Sequence, residues 1–204
     1  MSNIICAEIT IVGKRALLWH AFGPDALPLE KQERTGVAGN DPEEWRKTVL
    51  MSSARQLYVD PSYIFGCLRD AAKYTRKGKG SIQTAVCATL QVEGDRVYLN
   101  RFLPEEPIPT DPELPVYMDV RSVRNPSTKG RNIRYRVAAS AGWVLKFTIL
   151  WDKTIVSRGE IESVCNDAGQ LVGVGDGRSI GFGRFSVESF RVTEQRDATE
   201  EAAA

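Results

Sequence analysis

The chain is poor in the side chains that most often hold metals or cross-links. It has one histidine, His20, and four cysteines, Cys6, Cys67, Cys87 and Cys165, dispersed without a CxxC pair. Zinc sites need clustered thiolate or imidazole ligands, and disulfide frameworks need recurrent cysteine spacing, so neither is expected and no cofactor is implied. No apolar run reaches the about 18 residues of a membrane helix. The N-terminus also lacks the basic, apolar and small-residue order of a secretory signal. The expectation is a cytoplasmic protein with no membrane contact. Ser-His-Asp, HExxH and Walker-type spacings are missing too.

A further absence is local. Over 204 residues the formal net charge is only +1, yet no acid occurs between Val120 and Trp151, where Arg121, Arg124, Lys129, Arg131, Arg134, Arg136 and Lys146 lie. A second acid-free stretch, Ala71 to Val92, carries Lys73, Arg76, Lys77 and Lys79. Acids gather instead in Glu93 to Asp119 and in the tail after Phe185. Segregation of this kind points to a polyanion contacted by part of the surface, which a near-neutral total conceals.

With 42% hydrophobic residues the chain can close one sizeable core. Residues 3–13 form a β-branched run ended by glycine and predict a first strand, with a long polar loop from Gly23 to Asn40 after it. Asp41-Pro42-Glu43-Glu44 predicts a helix over 42–54, and Asp60-Pro61 opens another from 61 to about 76, which Gly78 and Gly80 end. Residues 84–92 and 96–103 suggest a hairpin around Glu93-Gly94-Asp95, the longest hairpin expected. Strands follow near 116–123 and 133–139, and 143–150 alternates Trp143, Leu145, Phe147 and Ile149 against Val144, Lys146, Thr148 and Leu150. Ser157 and Glu160 form a capping box for a helix that Gly169 would cap at its far end, before a last strand near 182–192.

Reduced to long elements, this is β-α-β-β-α-β, the order of a ferredoxin-like or RRM-type α/β (α+β) fold. It predicts an antiparallel sheet with two packed helices on one face. A single domain over 1–193 would carry insertions at about 14–56 and 77–132, with a disordered tail at 194–204. The open sheet face or the inserted loops are left for a ligand, and such faces commonly carry single-stranded nucleic acid.

Two features bear on chemistry. Gly173, Gly175, Gly177, Gly181 and Gly183 fall within eleven residues between a helix and a strand, with Arg178 and Arg184 among them. Glycines permit positive φ and close backbone approach, and successive N–H groups can form an anion nest. A tight connection across the sheet is the plain alternative. The dinucleotide fingerprint does not apply, because that loop runs from strand into helix. The basic run is the second feature. On a strand, Arg134 and Arg136 would share one face while Ile133, Tyr135 and Val137 take the other. Seven cations without an acid favour phosphate contacts over a merely solvated face.

His20 can serve as a general base toward a ribose hydroxyl, or be structural or simply solvent-facing, and Asp25 is a weaker candidate for metal-dependent cleavage. Trp19, Trp45 and Trp151 are open as base-stacking residues, as are Tyr117 and Tyr135, whereas Trp143 belongs to a buried alternation.

The ending GVGDGRSIGFGRFSV and the segment LYVDPSYIFGCLRDAAKYT, Leu57 to Thr75, together resemble the RAMP superfamily. These repeat-associated proteins include CRISPR backbone and guide-RNA-processing subunits. The resemblance covers roughly residues 55–190 and is closer to a backbone-type subunit, or to a stand-alone phage or mobile-element relative, than to the processing nuclease. It implies that Arg69 points from its helix toward the strand of nucleic acid, that the glycine loop supports its backbone, and that Arg121 to Arg136 are phosphate-binding insertions.

The expectation is therefore a protein that binds single-stranded RNA or DNA, RNA preferred, along its phosphates, assembled side by side as a homo-oligomer or within a larger complex. The sites expected are Arg69, Lys77, Lys79, Arg121, Arg124, Lys129, Arg131, Arg134, Arg136, Arg178 and Arg184. Two alternatives stand beside it. One is a metal-independent endoribonuclease using His20 with Arg178 or Arg184, and the other a scaffold subunit whose basic loops meet acidic protein segments.

Overall fold

The computed structural model describes residues 3–21, 41–124 and 130–193. The elements, in order, are β1 (Ile4–Gly13), β2 (Leu17–Leu18), α1 (Glu44–Thr48), β3 (Gln56–Val59), α2 (Pro61–Ala71), β4 (Arg76–Lys77) and β5 (Gly80–Ser81). They continue with α3 (Gln83–Thr89), β6 (Gln91–Val92), β7 (Val97–Phe102), β8 (Val116–Arg124), β9 (Arg131–Ala139), β10 (Val144–Asp152), α4 (Arg158–Asp167) and β11 (Phe185–Thr193).

The main sheet has the order β11-β1-β10-β7-β3, antiparallel throughout, with β6 also pairing β10. The four strands β11, β1, β10 and β7 reproduce the spatial order of a ferredoxin-like sheet, so the α+β expectation holds. In β10, Leu145, Phe147, Ile149 and Trp151 are buried, and Ala7, Ile9 and Ile11 of β1 join the same core. Each such aliphatic or aromatic side chain contributes about 1.5–3 kcal/mol on burial. A slip of one residue would turn Lys146 inward, so the alternation fixes the register. Ile64, Cys67, Leu68 and Ala71 of α2, Val86 of α3, and Ile161, Val164 and Cys165 of α4 pack onto this core. Glu8 and Lys146 lie on the other face, exposed.

Local signals explain several boundaries. Asp60 accepts a 2.8 Å hydrogen bond from the Ser62 N–H, with Pro61 at the first helical position, a cap whose loss typically costs about 0.5–2 kcal/mol. Ser157 and Glu160 make the reciprocal capping box of α4. The last residue of β1, Gly13, must be small, because a Cβ there would lie 2.2 Å from the indole of Trp143.

Other expectations are corrected. Of residues 84–92, only Gln91–Val92 is strand. Ile82, Val86 and Leu90 recur at four-residue intervals, and all three are buried, so the segment is the helix α3. β6 and β7 each pair β10 rather than one another. The long hairpin is β8–β9, with a register from Val116↔Ala139 to Arg124↔Arg131, extended by β2 into a three-stranded sheet. The first helix is only Glu44–Thr48, since Val49 is already extended and the chain turns back to bridge Met51 with Leu57. α2 stops at Ala71, and Gly78 lies in the turn between β4 and β5, at φ 61°. Gly169 is no cap. A π-helical turn, Ala168–Val172, continues α4 and ends at Gly173 with φ 87°, while a Cβ on Gly169 would meet the Phe185 carbonyl oxygen at 2.3 Å. The loop expected over Gly23 to Asn40, Asp25, Lys129 and the tail after Glu194 lie outside the described residues.

Candidate functional site

The glycine loop is built on β2. Asp176 donates its N–H to the Leu18 carbonyl at 2.9 Å, Gly183 to Ala16 at 2.7 Å, and Val174 to Gly183 at 3.0 Å. Positive φ occurs at all five glycines of the loop. At Gly183 the constraint is doubled, because a Cβ would lie 1.8 Å from the Val174 carbonyl oxygen. Between Gly177 and Gly181 a short 3₁₀ turn, Arg178–Ile180, projects side chains outward. The N–H groups of Gly173, Val174, Asp176, Ile180, Gly181, Phe182 and Gly183 are spent inside the protein. Most of the loop's N–H groups are thus committed within the protein, and the loop mounts Arg178 and Arg184 on the groove.

Facing it is one side of the β8–β9 hairpin, where register places Asp119 beside Arg136 and Arg121 beside Arg134. Hairpin, loop and the end of α2 enclose a groove of about 990 Å³. His20, Lys73, Arg121, Arg134, Arg136, Arg178 and Arg184 line it, with Asp70 and Asp176. A neighbouring cavity of about 410 Å³ shares His20, Gly175, Asp176 and Arg178 and adds Arg69.

The arginines are not bare. Arg136 donates to Asp119 at 3.1 Å and to Asp176 at 2.6 Å, Arg121 binds Asp119 through its Nε at 2.8 Å, Arg134 pairs with Glu44, and Arg178 reaches Asp70 at 3.3 Å. Six Lys and Arg side chains thus face four carboxylates. Magnitudes sort these pairs. Arg136 and Asp119 have side chains 5% and 4% exposed. Breaking such a buried pair costs about 3–5 kcal/mol. Arg178 and Arg134 are 37% and 36% exposed, and pairs of that kind are worth about 0–1 kcal/mol, a small barrier to exchange for a phosphate. Arg136 is thus a structural tie, Arg121 is held by the same buried Asp119, and Arg134 and Arg178 are the more weakly held cations. Arg121 also lies over the Phe182 ring at 4.5 Å. Arg184 has its Nη1 buried without a hydrogen-bond partner at the groove wall.

Burial, the largest influence, pushes the Asp176 carboxyl up, but the Arg136 hydrogen bond and the Gly177 N–H outweigh it and hold the group below its ordinary value. Burial holds His20 below its ordinary value, against the opposing pull of Asp176, so the imidazole is neutral near pH 7.

The other expected residues lie elsewhere. Lys77 pairs with Glu160 at 3.3 Å and Lys79 is exposed at the β4–β5 turn, neither on the groove. Arg131 is exposed at the hairpin's far end, opposite Arg124. All four tryptophans are buried, Trp45 most exposed at 5%, and Tyr117 is buried as well. Tyr74, Leu171 and Ile180, unweighed in the sequence, line the groove and are exposed. Their signal was faint: Tyr74 and Ile180 lie within the two quoted segments, but nothing local distinguishes an exposed apolar residue from a buried one. Among the described residues, no group of three or more His, Cys, Asp or Glu is placed to hold a metal. No described helix is long and apolar enough to cross a membrane.

No family model matches the chain, and no curated protein matches it. Among solved structures it is similar to a chain of a type III-B Cmr-beta complex bound to cognate target RNA, with TM-score 0.49 and 11% identity over 94% of this chain. The chain spans 61% of the length of that one. It is also similar to a chain of a type IV-B CRISPR complex, with TM-score 0.44 and 15% identity over 95% of this chain and 92% of the other.

Proposed function

We propose that the chain binds single-stranded nucleic acid, RNA in preference to DNA, through phosphate contacts along this groove, as a repeating subunit of a nucleoprotein assembly. The observation that carries the proposal is convergence. The basic segment and the glycine loop, far apart in sequence, supply opposite walls of one cleft with an excess of cations. Arg134 and Arg178, themselves partly exposed, hold ion pairs that phosphates can replace, and Arg184 brings an unspent donor. Arg69 extends the path into the second cavity. Preference for RNA and side-by-side assembly are what the RAMP resemblance adds.

The test is the ratio of absorbance at 260 and 280 nm of the purified full chain, before and after RNase or DNase. A raised ratio that RNase alone lowers supports the proposal. A protein-like ratio, together with no binding of a labelled oligoribonucleotide at low salt, would end it.

One observation favours a second reading. A neutral His20 lines the same groove as Arg178 and Arg184, the arrangement a metal-independent ribonuclease would use to take a ribose proton and stabilise the phosphate.

A further inference from the structure

Exposed apolar side chains are usually scattered, and a single one needs no explanation. Besides Val123 of β8 at 36%, three of them converge on the basic groove: Tyr74 at 47%, Leu171 at 44% and Ile180 at 65% exposed. They come from separate elements, the turn after α2, the π-helical turn and the glycine loop. Ile180 is held out by a turn whose flanking glycines both take positive φ, although burial of an isoleucine is ordinarily favourable. Apart from His20, Tyr74 is the one aromatic side chain among the described residues lining the groove, and Lys73 sits over its ring at 4.9 Å.

We propose that Tyr74 stacks on a nucleobase of the bound strand, with Ile180 as an apolar contact beside it, while the groove arginines take the flanking phosphates. This rests on the groove holding nucleic acid and deepens it. A phosphate strand carries apolar base faces at fixed intervals from its charges, so a cleft that alternates exposed cations with an exposed aromatic and aliphatics matches it. An acidic peptide would use the arginines but leave the aromatic and Ile180 without a role. A stacked base has no donor or acceptor requirement, so the contact is tolerant of sequence. The adjacent Lys73 ammonium meets the phosphate next to that base and polarises the same ring.

The experiment compares two labelled strands of equal length, oligouridylate and an abasic ribose-phosphate chain, by fluorescence anisotropy with the full protein and with Tyr74→Ala, Tyr74→Phe and Ile180→Ser. Melting curves confirm folding, which exposed positions leave intact. Wild type should favour the base-bearing strand, and Tyr74→Ala should weaken binding to it roughly 5- to 150-fold, the range for loss of one base–aromatic stack. The same variant should leave the abasic strand's affinity unchanged, and Tyr74→Phe should retain the wild-type preference. Equal loss on both strands, or no loss on either, overturns the stacking proposal while phosphate binding stands. Failure of both strands to bind wild type, with a polyglutamate peptide binding instead, overturns the groove's assignment as well.

Discussion

Arg136 donates a 2.6 Å hydrogen bond to Asp176, and so ties the β8–β9 hairpin to the glycine loop across forty positions of sequence. The same guanidinium holds Asp119, itself bound to Arg121, so charges alternate from the groove surface into the interior. Both walls of the groove are thereby held in one geometry without a ligand.

This makes Arg136 a test of fold before binding. Arg136→Ala leaves Asp119 buried and half-compensated, and should lower unfolding free energy by about 3–5 kcal/mol. Arg134→Ala, at an exposed pair, should cost no more than about 1 kcal/mol. Urea denaturation of both variants decides it, and equal midpoints would show that the inner pair is no tie.

The same contact predicts an acid limit. The folded Asp176 carboxyl lies below its ordinary value of 3.8. A depressed carboxyl contributes stability that is present above the unfolded value and lost as pH falls through the folded one. Wild type should therefore lose stability below about pH 4, and Asp176→Asn should reduce that part of the pH dependence. An unaltered acid profile in the variant would remove the contact from the account.

Two glycines should behave differently. Valine at Gly183 would combine a φ of 68° with a Cβ 1.8 Å from the Val174 carbonyl oxygen, and the variant should fail to fold. Gly181, with φ 93° and nothing within 4 Å of a Cβ, carries backbone strain alone. Gly181→Ala should cost about 1–3 kcal/mol and leave the protein folded. Circular dichroism melts separate the two.

The binding and nuclease readings divide on His20. Labelled RNA in EDTA should stay intact with wild type if the protein only binds. Cleavage that disappears in His20→Ala would transfer the function to the second reading, which the neutral imidazole in the groove accommodates.

The sequence made visible whatever local physics determines. The Asp60 and Ser157 caps, the alternation of β10 and the strands β8 and β9 are each specified within a few residues, and each is present. α3 is not legible locally, because seven residues without a side-chain cap resemble a short strand, and only the burial of Ile82, Val86 and Leu90 resolves the period. The basic run was legible as charge but not as chemistry. Its counterions Glu44, Asp70 and Asp176 come from distant parts of the chain, and Asp119 stands just before the run, so pairing exists only in the fold. The glycines are legible as backbone freedom, whereas the spending of the Gly173, Gly181 and Gly183 N–H groups inside the protein is not.

The salt dependence of binding tests the central claim most directly. Each phosphate neutralised on a single strand contributes about 0.7 to the slope of log affinity against log salt, so three or four exchangeable cations give a slope of about −2 to −3. Replacing Arg178 and Arg184 together by alanine should weaken binding to every oligoribonucleotide alike and flatten that slope by about 1.4. A slope unchanged in the double variant, with wild-type affinity, would contradict a phosphate path through this groove.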